Sequence, residues 1–233
     1  MACGNHVHAG RIKGLAARGE RFENRWRMFL KPRSHADIPA YPDFAISALY
    51  ICIGLFNSDP RGGIDRLEEI DLAEPKLSKN RVLVEVHSIG LNPLDYRLRR
   101  GEMGPLVTFS KPRLIASDFS GHVLEVGPGV TDLAPGDRVC GMVNQVFTGT
   151  SAERLSVSRA NLSKSPGNVD DCTAAGIPLA ALTAYQALYG LGDVSRGKRV
   201  LVNGASGGVG TFATQIAKQA GAHVTAVTSH RNA

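Results

Sequence analysis

The chain has 233 residues, 43% apolar and 21% charged, which suits one large or two small globular domains with real cores. It contains no apolar run of about 18 residues or more, so no segment reads as a membrane-spanning helix. The net charge of +6 is local: residues 1–33 carry eight Lys and Arg against Glu20 and Glu23, leaving nineteen charges of each sign in the rest. A nucleic-acid surface on the folded part is therefore not expected.

Residues 1–43 hold the basic excess without regular pattern. Arg11, Lys13, Arg18, Arg21, Arg25 and Arg27 with Leu15, Ala16 and Ala17 have the flavour of a mitochondrial transit peptide, whereas two acids and early histidines count against it. Three readings stay open: a transit peptide, a disordered extension, or an upstream extension with Met28 as the true start. Lys31 to Asp43 is proline-punctuated linker. The four cysteines, Cys3, Cys52, Cys140 and Cys172, form no C-x-x-C pair. Their scatter argues against a thiolate zinc site and a secreted disulfide framework, and for a reducing compartment. A cytoplasmic location is expected, with a mitochondrial one as the alternative.

Residues 44–168 read as short strands separated by turns. Strand candidates are Ile46 to Leu55, Leu67 to Leu72, Val82 to His87 with Val82, Val84 and Val86 inward, Gly121 to Val126, Asp137 to Met142 and Arg154 to Val157. Pro128-Gly129 and Pro135-Gly136 mark turns, and the whole suggests a small antiparallel barrel. From Asp170 to Leu188 the chain becomes alanine-rich and helical, with Pro178 dividing it in two.

The stretch Lys198 to Arg231 is the most informative. Arg199 to Asn203 reads as a buried parallel strand, Gly204 to Gly210 as a glycine-dense turn, and Val209, Phe212, Ala213, Ile216, Ala217 and Ala220 as one face of a helix. Gly221 stands where a helix C-terminal glycine belongs, and His223 to Thr228 alternates as a second strand. Gly204, Gly207 and Gly210 form a variant dinucleotide fingerprint, G-x-x-G-x-x-G, between strand and helix. Bare backbone N–H groups in Gly204, Ala205, Ser206, Gly207, Gly208, Val209 and Gly210, backed by a helix N-terminus, suit a pyrophosphate; a tight structural turn is the alternative. After the second strand come Thr228, Ser229, His230 and Arg231, with no carboxylate for a ribose 2′-hydroxyl and a guanidinium suited to a 2′-phosphate. NADP(H) is favoured over NAD(H), unless Arg231 is simply a solvated loop residue.

The segments GLNPLDYRLRRG (90–101), ASDFSGHVLEVGPGVTDLAPGDRVCG (116–141), GTSAERLSV (149–157), AAGIPLAALTAYQAL (174–188) and RVLVNGASGGVG (199–210) occur in that order. In order and spacing the chain resembles the medium-chain dehydrogenase/reductase superfamily, in its zinc-independent NADPH:quinone oxidoreductase-like branch. The resemblance implies a GroES-like β-barrel catalytic domain over 44–168, then bridging helices and the first β-α-β of an α/β Rossmann domain over 169–233, with the active site between them. The positions that hold catalytic zinc in zinc-dependent members carry Asn92, Ser117 and Leu179 here, and the four-cysteine lobe is missing, so no metal is expected. Asn92, Asp95 and Tyr96 become the catalytic candidates by resemblance. Asn92 would approach the nicotinamide or the substrate oxygen, or else close a turn with Pro93; Thr183 would line the nicotinamide pocket, or else face its own helix. Where many relatives carry a tyrosine two residues after the aspartate, this chain has Asp95-Tyr96-Arg97, which leaves the proton donor open.

A full Rossmann domain has six strands, and this chain ends after two, so the resemblance implies an incomplete one with on the order of a hundred residues absent. The expectation is a fragment that alone binds NADPH poorly and turns over little, with a homo-oligomer expected only of the full-length protein. Three functions are carried forward. The first is an NADPH-dependent, zinc-free reductase passing hydride to a quinone or α,β-unsaturated carbonyl. The others are a trans-acting enoyl reductase of polyketide or fatty-acid synthesis, and a non-catalytic scaffold.

Overall fold

The computed structural model describes residues 52–57, 67–100, 102, 113–144 and 148–232. The strand expected from Ile46 is described only from its later part, and the basic extension lies outside the described residues.

Two antiparallel sheets form the larger part. One has the order β2-β1-β4, from β1 (Cys52–Asn57), β2 (Leu67–Leu72) and the two-residue β4 (Arg113–Leu114). The other has the order β7-β3-β5-β6-β8, from β3 (Arg81–Gly90), β5 (Asp118–Val126), β6 (Arg138–Met142), β7 (Arg154–Ser158) and β8 (Leu162–Lys164). Alternation drives the packing: Val82, Val84 and Val86 of β3 turn inward as expected and meet Phe119, Val123, Val139, Leu155 and Val157. Leu72 and Leu114 pack against the same core from the first sheet. β3 and β5 both run longer than the sequence suggested, because their far ends are paired, Gly90 opposite Asp118. Gly90 also lies against a neighbouring segment, for a Cβ on it would meet the Ala175 carbonyl oxygen at 2.2 Å.

A helix that the sequence reading did not anticipate, α1 (Pro93–Arg99), follows β3. Asn92 is its N-cap, Pro93 opens its first turn, and the Asp95 carboxylate accepts the Asn92 backbone N–H at 2.6 Å. Pro93 therefore starts a helix rather than closing a turn. The helical stretch after residue 170 divides at Pro178 as expected, into α2 (Asp171–Ala175) and α3 (Pro178–Tyr185), and continues as a wider π-type turn to Leu191. Asp170 caps α2 by accepting the Thr173 N–H at 2.7 Å.

The last unit is β9 (Arg199–Asn203), α4 (Gly208–Gln219) and β10 (His223–Val227), the two strands parallel and in register from Arg199–His223 to Asn203–Val227. Gly221 has φ +80°, the left-handed residue that ends α4. One expectation fails here. β9 is not a buried strand: only Val202 is buried, and Leu201 is 69% exposed. With two strands in its sheet and α4 on one face, the other face has no described element over it. Cys140 is a free, buried thiol.

Candidate active site

The glycine loop joins β9 to α4. Gly204 has φ +72°, a conformation that costs an L-residue energy, and its carbonyl accepts the Gly207 N–H at 3.0 Å. Gly210 packs so closely that a Cβ would meet the Gly204 oxygen at 2.2 Å. Nothing lies within 4 Å of a Cβ on Gly204, and a Cβ on Gly207 would reach only the Gly204 oxygen at 3.3 Å. Gly207 is the N-cap, so the N–H groups of Gly208, Val209 and Gly210 open α4 without a helical acceptor one turn earlier. Ala205 is tied to β10 through its N–H and the Val227 oxygen, 2.9 Å. Thr228 Oγ1 donates to Ser206 Oγ at 2.8 Å, and Asn232 Nδ2 reaches the same oxygen at 3.3 Å. Ser229 accepts the Asn232 N–H across a short 3-10 turn that carries exposed Arg231. The structure thus gathers Ser206, Thr228, Ser229 and Arg231 at one end of the loop. These residues fit a pyrophosphate with a neighbouring phosphate: bare N–H groups, three hydroxyls and a cation, with no carboxylate among them.

The second group sits where α1, β5 and α3 meet. Asp118 is 1% exposed, and its Oδ2 accepts Asn92 Nδ2 at 3.0 Å. The Leu179 N–H in the first turn of α3 donates to the same carboxylate, 3.1 Å to Oδ1 and 3.2 Å to Oδ2. Burial pushes the Asp118 carboxyl up to about 7; the Asn92 and Leu179 bonds oppose this and the nearby Asp95 adds to it. Asp95 is buried behind Asn92, with Ser117 Oγ 3.5 Å from its Oδ1. Ala116, two residues before β5, is buried with φ +65°, a left-handed backbone that is unusual for a residue with a side chain. Tyr96 faces outward on α1, with the Arg100 guanidinium 5.4 Å from its ring centre. Thr183 sits on α3 and donates to the Leu179 carbonyl at 2.7 Å, so its hydroxyl turns toward its own helix and keeps only acceptor capacity.

Helix α3 packs against α4, and a Cβ on Gly208 would touch Ala180 Cβ at 3.7 Å. The two groups therefore share one helix pair: Asp118 holds the start of α3, and α3 lies on the start of α4. Sequence reasoning named Asn92, Asp95 and Thr183 as site residues but not Asp118.

A sequence pattern described as "Alcohol dehydrogenase GroES-like domain" matches residues 78–227. The chain belongs to this family. Within it, the similarities point to the zinc-independent, quinone-oxidoreductase-like branch of the medium-chain dehydrogenases/reductases. The chloroplast envelope quinone oxidoreductase homolog of Arabidopsis thaliana is 38% identical over 73% of this chain and 54% of its own length. The mitochondrial NAD(P)H oxidoreductase RTN4IP1 of Mus musculus is 40% identical over 64% of this chain and 42% of its own. Among solved structures, CurK enoyl reductase superposes with TM-score 0.71 at 28% identity, covering 78% of this chain and 55% of that one. A mycobacterial protein complexed with NADPH gives TM-score 0.65 at 31% identity, covering 77% and 54%. The chain spans about half the length of these relatives. The fold is thus a GroES-like part followed by an incomplete Rossmann part, as the family resemblance implied. Among the described residues no helix is long and apolar enough to cross a membrane.

Proposed function

We propose that this chain carries the nucleotide loop and catalytic cleft of an NADPH-dependent, zinc-free oxidoreductase that delivers hydride to a quinone or an α,β-unsaturated carbonyl. The observation that carries this reading is the glycine loop opening α4 beside α3, whose first turn is fixed by Asp118 and, through it, Asn92. The names of the relatives, quinone oxidoreductases and an NAD(P)H oxidoreductase, support the same reaction class.

The N–H groups of Ser206, Gly208, Val209 and Gly210 hold the pyrophosphate, with Gly204, Ala205 and Gly207 shaping the cradle. Thr228, Ser229 and Arg231 take the ribose 2′-phosphate, and Thr183 lines the nicotinamide side through its acceptor oxygen. When bound, the nicotinamide supplies the hydride. Asn92 keeps a second amide N–H beyond the one given to Asp118, and this polarises the acceptor oxygen. Asp95 and Asp118 act through Asn92 as positioning residues, one on its backbone and one on its amide. Tyr96, adjacent to Asp95, is the candidate proton donor on α1.

The test is nucleotide titration of the purified chain, followed by fluorescence. Whatever the absolute affinity, NADPH binds about tenfold tighter than NADH, as expected for one charge-assisted contact, and Arg231→Ala brings the two together. Equal affinities in the unaltered chain sink the NADPH assignment. An enoyl reductase is a second reading, favoured by the likeness to CurK; faster NADPH oxidation with an enoyl thioester than with a quinone would select it. The mitochondrial names of several relatives favour the mitochondrial alternative for location.

A further inference from the structure

Apart from the nucleotide loop and the Asn92 cleft, the described residues bring together a group of ligating side chains where β3, β5 and β6 meet α2. His87, His122 and Asp171 each offer one ligand atom, and these atoms lie within 4.8 Å of one another. His87 Nδ1 is 2.9 Å and His122 Nε2 3.7 Å from the same oxygen, Asp171 Oδ2. A tetrahedral ion with bonds of about 2.0–2.2 Å spaces its ligand atoms by roughly 3.3–3.5 Å. The two observed distances bracket that value, so small side-chain rotations reach it.

The surroundings of this group resemble the outer shell of a metal centre. Arg138 donates to Asp171 Oδ1 from Nη2 at 2.8 Å and from Nε at 3.1 Å, which anchors one carboxylate oxygen and leaves Oδ2 facing the imidazoles. On the far side of the His87 ring, Glu85 Oε2 lies 3.5 Å from Nε2. A carboxylate behind the second nitrogen of a ligating histidine fixes its tautomer and raises its basicity. The rings of His87 and His122 are 4.2 Å apart at 38°. All three residues are partly exposed, which leaves room for a water ligand.

We propose that His87, His122 and Asp171 bind a divalent transition-metal ion of the zinc class, with water completing the coordination. Two imidazole nitrogens and one carboxylate oxygen select Zn²⁺, Co²⁺ or Ni²⁺ over Mg²⁺ and Ca²⁺. The ion takes the place of the proton between His87 Nδ1 and Asp171 Oδ2, and that proton leaves to solvent. These residues are distinct from Asn92, Ser117 and Leu179, where zinc-dependent members hold their catalytic metal. An ion here ties β3 and β5 to the first turn of α2, upstream of the helix that Asp118 holds, so it braces the cleft without entering it.

The test is Co²⁺ and Zn²⁺ titration of the full 233-residue chain, read by calorimetry and by the visible Co²⁺ spectrum. His6 and His8 form an H-x-H pair with metal affinity of its own, so every protein carries H6Q/H8Q. The parent takes up one equivalent more than His87→Gln/His122→Gln, and excess Mg²⁺ does not displace it. Glu85→Gln retains the equivalent but binds it about 10–100-fold more weakly. Equal uptake by parent and double variant overturns the proposal and leaves the cluster an ion-pair network. Should the double variant fail to fold by circular dichroism, unchanged affinity in Glu85→Gln overturns it instead.

Discussion

Asp118 illustrates how one side chain, on β5, links the starts of two helices, α1 and α3. Its carboxylate is almost fully buried and receives one amide and one backbone donor, which is less than a charged carboxylate in water obtains. Desolvation therefore dominates and raises its pKa from the usual carboxylate range to about 7. The sign follows from linkage: a carboxyl whose folded value exceeds its unfolded value binds more protons in the folded state. Its contribution to stability is fully present at low pH and is lost as pH rises from about 4 through 7. Asp118→Asn removes this dependence, because the amide oxygen still accepts Leu179 N–H and the Asn92 amide can turn over to meet the new NH₂. Thermal unfolding between pH 4.5 and 8 is expected to show the difference in melting temperature, variant minus parent, growing with pH. A constant difference across that range would place the ionisation of Asp118 elsewhere.

At the level of elements, α2 shows how a helix of five residues persists. Propensity alone does not hold so short a segment, so tertiary bonds must. Asp170 caps it, Ser120 Oγ donates to the Asp171 carbonyl, and Arg138 spans Asp171 and the Val169 carbonyl. Arg138→Met keeps an unbranched apolar stem and removes the guanidinium donors. In the absence of added metal this is expected to cost about 1–2 kcal/mol in denaturant unfolding, with hydrogen exchange accelerated in α2 and at the start of α3. Exchange unchanged in both would mean that capping by Asp170 suffices. The elements that the sequence concealed have physical reasons in common. β4 and β8 are too short to show a period, and α1 opens on Asn92 and Pro93, residues that suit a turn as readily as a helix start. The His87, His122 and Asp171 cluster depends on sheet register, with His122 opposite Glu85 and an irregularity between Val86 and Ser88. No local pattern encodes such a pairing.

Across the whole molecule, legibility follows contact range. The unit from β9 to β10 was readable nearly residue by residue, because its strand, glycine turn and helix signals are adjacent in the chain. The strand order of the antiparallel part was accessible only through family resemblance, since β7 pairs with β3 and β6 with β8 across long separations. The exposure of the parallel pair follows from its strand count, since two strands and one helix leave apolar sheet surface open. β9 has the composition of a central strand, yet Leu201 is 69% exposed and Val227 on β10 is 44% exposed. Apolar residues on a short parallel pair invite association, because parallel strands are ordinarily covered on both faces. Leu201→Thr preserves strand propensity and removes apolar surface without opening a cavity. Folding stability is therefore expected to stay within about 0.5 kcal/mol, while the concentration at which light scattering first detects association rises. A variant that associates at the same concentration as the parent would show that this face does not drive it.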